Sequence, residues 1–110
     1  MKGKYSSLQN DLARFSKALS HPARVQIMEI LLSQSCCYSG DMATEIPIAR
    51  STLSQHLTEL KNAGLIDGEI ELPRIRYCVN TENWEKARIL FLSFFDKDIS
   101  IIDDANSCRK

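Results

Sequence analysis

The chain has 110 residues with fourteen basic and fourteen acidic side chains, so its formal net charge is zero; 44% of its residues are hydrophobic and 25% charged. That length supports one hydrophobic core and not two, and the composition is that of an ordinary globular domain. It excludes a disordered polyelectrolyte, and no apolar run is long enough to span a bilayer.

The polar start MKGKYSSLQND carries no signal-peptide pattern, so a cytoplasmic location and no membrane partner are expected. In a reducing compartment the four cysteines, Cys36, Cys37, Cys78 and Cys108, are not expected to form a disulfide framework. Each is then a small hydrophobe, a metal ligand or a redox thiol.

Leu8, Leu12, Phe15 and Leu19 step by four, three and four, which predicts an amphipathic helix over Ser6–Leu19. Ser20-His21-Pro22 interrupts it, and a proline in the first turn starts a second helix, Pro22–Ser33. Val25, Ile27, Met28, Ile30, Leu31 and Leu32 make that helix apolar around much of its circumference, so it should be the central core element. Gln34–Ser39 breaks the pattern. Ser39-Gly40-Asp41 then caps a short third helix of about Gly40–Ile46, which Pro47 ends.

In Ile48–Ile66, reading IARSTLSQHLTELKNAGLI, Leu53, Leu57 and Leu60 form one buried helical stripe. The rest of that helix carries Arg50, Ser51, Thr52, Ser54, Gln55 and His56, short and medium hydrogen-bonding side chains that suit base edges and phosphates in the major groove. Gly64 stops the helix and a strand follows over Leu65–Glu71. Pro73-Arg74 turns the chain, and Ile75–Val79 returns as a second strand. The hairpin has a basic tip, with Arg74 and Arg76 aimed at phosphate or the minor groove. Cys78 alternates with Tyr77 and Val79 and reads as a packed residue. Thr81 caps a last helix whose apolar stripe is Trp84, Ala87, Phe91 and Phe94, widened by Leu90 and Phe95.

A short helix, a tight connection, a helix with a polar face and a hairpin make a winged helix-turn-helix, mainly α with a small β-hairpin. The expected order is helix, helix, helix, helix, strand, strand, helix. It forms one domain over residues 1–99, followed by a tail over 100–110. The aromatic residues of the two terminal helices exceed what one compact core readily covers. Two-fold pairing of the first and last helices would bury them and set two reading helices about one DNA turn apart. The expected partners are a second copy of the chain and double-stranded operator DNA. No Gly-rich phosphate loop, catalytic triad or paired carboxylates point to an enzyme.

The runs Leu19-Ser20-His21-Pro22-Ala23-Arg24, Ser51-Thr52-Leu53-Ser54-Gln55-His56-Leu57 and Leu60-Lys61-Asn62-Ala63-Gly64-Leu65-Ile66, with Arg76-Tyr77 of the wing, together resemble the ArsR/SmtB family of bacterial repressors over about Leu12–Trp84. The resemblance implies a homodimeric repressor that leaves its operator when an inducer binds, with Ser54, Gln55 and His56 facing the groove; a structural His56 that hydrogen-bonds the backbone is the other reading of that residue. The family commonly has a capping serine where Ala49 stands, so the start of this helix should be weaker.

Adjacent Cys36 and Cys37 point to a thiophilic inducer, trivalent arsenic or antimony, with Cys108 of the tail as a third thiolate. The family's arsenic repressors carry Cys-x-Cys directly before the aspartate matching Asp41, where Ser39-Gly40 stands here. The cysteine positions of the persulfide-sensing branch match Glu29 and Lys97, and no histidine follows His56 to build the zinc site. Two other readings remain open. One is a redox or persulfide sensor using Cys36 or Cys37 with Cys108. The other is a winged helix that serves as a protein-interaction module without binding DNA.

Overall fold

A computed structural model describes residues 3–34, 37–71 and 74–102. The first helix, α1 (Ser7–Ala18), starts at a reciprocal cap. The Ser6 hydroxyl accepts from the Gln9 amide at 3.0 Å, and the Gln9 side chain accepts from the Ser6 amide at 2.9 Å. Pro22 opens α2 (Pro22–Leu32), where His21 Nδ1 accepts from the Ala23 amide at 3.0 Å. Ala23, Ile27, Met28 and Leu31 of α2 are buried, while Val25 and Leu32 stand exposed, so the helix is central along one side only.

The short third helix expected over about Gly40–Ile46 is reduced to a single 3-10 turn, and a strand the sequence did not reveal precedes it. Tyr38–Gly40 forms β1, and Met42–Thr44 is one 3-10 turn capped by Asp41, whose Oδ1 accepts from the Ala43 amide at 3.1 Å. Met42 and Ile46 are buried, so the turn anchors itself with two apolar side chains although it is too short for a helical stripe.

The reading helix α3 spans Arg50–Asn62. Leu53, Leu57 and Leu60 are completely buried, as the leucine spacing requires. Its N-cap, Ala49, makes no side-chain cap hydrogen bond. Gly64, at φ +87°, ends the helix, and its carbonyl accepts from Asn83 Nδ2 at 2.9 Å. The strands β2 (Ile66–Glu71) and β3 (Arg74–Val79) make the wing. They join β1 in an antiparallel sheet of order β1-β3-β2.

The last helix, α4 (Thr81–Phe95), is capped by Asn80, whose Oδ1 accepts from the Asn83 amide at 2.9 Å. Thr81, expected as the cap, is the first helical residue. Ala87 is buried, Trp84, Leu90 and Phe91 pack on the core, and Phe94 and Phe95 are exposed. The two terminal helices pack together, with Asp11 bridging to Lys86 at 3.0 Å.

Tyr77, central in the sheet, is fully buried, and its hydroxyl has no hydrogen-bond partner among the described residues. Burial pushes its phenol up to about 12. Burial and the hydrogen bond to Glu45 at 2.5 Å do the same for Tyr38.

Two outcomes follow for stability. Ala49→Ser supplies the missing cap and should raise unfolding free energy by about 0.5–1 kcal/mol in urea titrations. Tyr77→Phe removes an unsatisfied buried hydroxyl and should raise stability by about 1 kcal/mol. Because both folded phenols hold their protons more tightly than unfolded tyrosine, their contribution is full below about pH 10 and fades toward about pH 12. Tyr77→Phe should flatten that alkaline decline, and an unchanged slope would refute the assignment.

Candidate nucleic-acid interface and a cysteine pair

With three leucines of α3 turned into the core, the positions between them have no choice but to face outward. Ser51 and Gln55 are exposed, and Thr52 and Ser54 are half-buried. None of these four is engaged in a side-chain hydrogen bond among the described residues. The helix therefore offers free donors and acceptors along one face, the condition for reading base edges.

Two of the expected contact residues are already engaged within the chain. The Arg50 guanidinium bonds the Asp41 carboxylate, and this contact holds that carboxyl below its usual range. Since Asp41 also caps the 3-10 turn, one side chain ties the first element of the motif to the first residue of the second. His56 is half-buried with its ring 4.4 Å from that of His21, the α2 cap. Burial first, then the neighbouring His21 and Arg24, hold the His56 imidazole below its ordinary value. It has a packing role on α2 beside any role at the groove.

On the wing, Arg76 is exposed. In the register Arg76 lies opposite Glu69, and Arg74 opposite Glu71. The hairpin read as basic from Arg74 and Arg76 therefore alternates basic and acidic positions across its two strands. Leu72 and Pro73, at the expected turn, lie outside the described residues.

The cysteines divide differently from the sequence reading. Cys36 and Cys108 lie outside the described residues, as do Asp103 and Asp104 of the tail. Cys37 is joined by a disulfide to Cys78, with Cα atoms 4.3 Å apart. Both expectations about these residues, that disulfides are absent and that Cys78 is a packed strand residue, are corrected by this pairing. The physical reason is β1. Tyr38 pairs with Tyr77, so Cys37 falls opposite Cys78 one step further along. The two tyrosines point into the core, which leaves the cysteines on the other face. Without β1, nothing in the amino-acid order brings positions 41 apart together. Among the described residues no group of three His, Cys, Asp or Glu side chains could hold a metal ion.

Asp41, His21, Arg24 and Cys78 are the residues of this region that the sequence reading passed over as site members. Asp41 alone left a signal, as a cap. The buried and unpartnered Nε of Arg24, beside His56, left none.

Residues 21–67 match the family model described as bacterial regulatory protein, arsR family. The HTH-type transcriptional regulator CmtR of Mycobacterium tuberculosis is 33% identical over 79 residues, covering 72% of this chain and 66% of CmtR, just under two thirds of that protein's length. Its solution structure, described as that of a cadmium metal-sensor, superposes with a TM-score of 0.52 at 31% identity over 80% of this chain and 86% of that one. The regulator YgaV of Escherichia coli is 33% identical over 64% of this chain and 71% of its own. A homodimeric winged helix-turn-helix DNA-binding domain, Mb0332 of Mycobacterium bovis, aligns over 96% of this chain and 97% of its own with a TM-score of 0.58 and 26% identity. The matched segment runs from the α2 cap through the reading helix into β2, and the fold agrees beyond it; the chain belongs to the ArsR family of bacterial regulatory proteins.

Proposed function

We propose that this protein is a DNA-binding transcriptional repressor that binds a two-fold symmetric operator as a homodimer and leaves it when a thiophilic inducer binds. The observation that carries the reading is the outward polar face of α3, Ser51, Thr52, Ser54 and Gln55, held rigid by three buried leucines beside an antiparallel wing. Ser54 and Gln55 read base edges; Arg50, Ser51 and Thr52 sit at the helix N-terminus, which attracts phosphate. Arg74 and Arg76 contact the backbone from the wing, and His56 supports the helix from α2. Arg50 leaves Asp41 for phosphate on binding, an exchange of one anion for another.

The dimer rests on exposed apolar surface. Leu8 of α1 and Ile89, Leu92, Phe94 and Phe95 of α4 are each more than half exposed in the single chain. A groove of about 390 Å³ between the two helices is lined by Leu8, Leu12, Leu90 and Phe94 among others. A soluble monomer rarely leaves such a surface uncovered. Pairing through α1 and α4 covers it, and it leaves both reading helices free.

For the inducer, trivalent arsenic or antimony bound by the thiolates of Cys36, Cys37 and Cys108 remains the reading from residue chemistry. The cadmium-sensing description of CmtR supports a soft ion as the class. Cys37 stands directly before β1 and the first turn of the motif, so drawing it onto an ion displaces the element that holds Arg50. The inducer weakens DNA binding only as far as it prefers that displaced state.

Fluorescence anisotropy with a symmetric promoter fragment tests these steps. Binding should weaken steeply with salt, and no salt-dependent binding would favour the interaction-module reading. Gln55→Ala should cost about ten-fold in affinity and relax sequence preference. Leu92→Asp with Phe94→Asp should give a monomer in sedimentation and cost about a hundred-fold on the full operator, while half-site binding stays unchanged. Arsenite under reducing conditions should release the protein; release that persists in a Cys36→Ser, Cys37→Ser, Cys108→Ser variant would refute the thiolate site.

A further inference from the structure

We infer that Cys37 and Cys78 are a reversible dithiol–disulfide pair that exchanges with small-molecule disulfides, and that its closed form clamps β1 onto the wing and strengthens DNA binding. The inference rests on the DNA-reading role above. Three features carry it.

The first is that the sheet, not the bond, sets the spacing. Tyr38 and Tyr77 pair directly, and the 4.3 Å Cα separation of the next rung is close to that of a non-hydrogen-bonded antiparallel pair, about 4.5 Å. Reduced thiols at these positions remain neighbours as long as β1 stays in place.

The second is access. Both cysteines are half-buried on the sheet face away from the core, within reach of a small thiol or disulfide. Arg76 lies two residues from Cys78 on that face and, with Asp67 and Gly68, lines a cavity of about 340 Å³ beside it, room for a small disulfide to approach.

The third is what the bond encloses. It joins positions 41 apart, and the loop between them contains the 3-10 turn, α3, β2 and the wing hairpin. That is the whole reading head. Without the bond, β1 is a three-residue edge strand held by its ladder to β3 and by the single buried side chain of Tyr38. It leads straight into Asp41, which caps the turn and holds Arg50. Closing the bond therefore fixes the wing, the first turn and the start of the reading helix relative to one another. Less ordering is then left for DNA to impose.

The chemistry balances with a low-molecular-weight disulfide as oxidant. One cysteine thiolate attacks a sulfur of that disulfide, forming a mixed disulfide and releasing one thiol. The second cysteine thiolate attacks the protein-side sulfur, closing the Cys37–Cys78 bond and releasing the second thiol. The two protons lost by the cysteines end on the two released thiols, and excess thiol reverses both steps. Closed, the pair also withholds Cys37 from a thiophilic ion, so the inducer acts only on the reduced protein.

The test uses the full chain carrying Cys36→Ser and Cys108→Ser, equilibrated in glutathione buffers of rising oxidised fraction. Acid quenching, thiol labelling and intact mass should show both remaining thiols lost together, with one peptide linking Cys37 to Cys78. Two free thiols at every ratio would overturn the pair. On operator DNA the oxidised form should bind at least about five-fold more tightly than the reduced form. A further Cys78→Ser change should hold affinity at the reduced value in every buffer. Equal affinities of the oxidised and reduced forms would overturn the clamp and leave the repressor reading intact. No DNA binding by either form would instead overturn the repressor reading, with the mass measurement still deciding the pair.

Discussion

Everything at the reading face depends on the burial of Leu53, Leu57 and Leu60. Each of these side chains is withdrawn completely from solvent, which contributes on the order of 2 kcal/mol apiece. They lock α3 in rotation about its own axis, because a turn of the helix in either direction would expose leucine and bury serine or glutamine. A polar face on a helix free to roll would present no constant pattern to DNA. Here packing against α2 and the sheet makes the orientation a consequence of hydrophobic burial, and the hydrogen-bonding groups are left unspent.

Around that locked helix the chain places connections that carry little stabilisation and much geometry. Asp41 links the first turn of the motif to Arg50, and Asn83 links the start of α4 to the carbonyl of Gly64 at the end of α3. A side chain on Gly64 would meet the Asn83 amide nitrogen at 2.8 Å, so the glycine serves both its positive φ and this close approach. The reading helix is thus pinned at both ends by single polar contacts to neighbouring elements. The ends of such a helix respond to small movements next door, and the Cys37–Cys78 bond sits one residue from β1, the element feeding the N-terminal pin.

The two halves of the domain serve different ends. Residues from α2 to the wing form a closed core about Tyr77, with its orphan hydroxyl the one polar flaw there among the described residues besides Arg24 Nε. The terminal helices meet that core through Phe15, Ala18 and Ala87, yet carry much of their large apolar surface outward. One part is complete within a chain, while the other has the form of a surface still to be covered.

Much of this was legible in the amino-acid order, because it rests on local periodicity and local chemistry. The leucine stripe, the proline and glycine punctuation and the alternation of β3 determined the helices, the wing and the polar reading face. These signals depend only on residues within a turn or two of each other, and the family resemblance is carried by the same runs. The structure alone decided what depends on distant residues meeting. A three-residue strand has no periodicity to read, so β1 was invisible and its residues read as a break between helices. With β1 unseen, the register that sets Cys37 beside Cys78 could not be derived, and Cys78 read as filler. The same holds for Arg50, which finds Asp41, and for His56, which finds His21: each partner is chosen by the tertiary packing of separate elements, and nothing in the spacing of the chain encodes that choice.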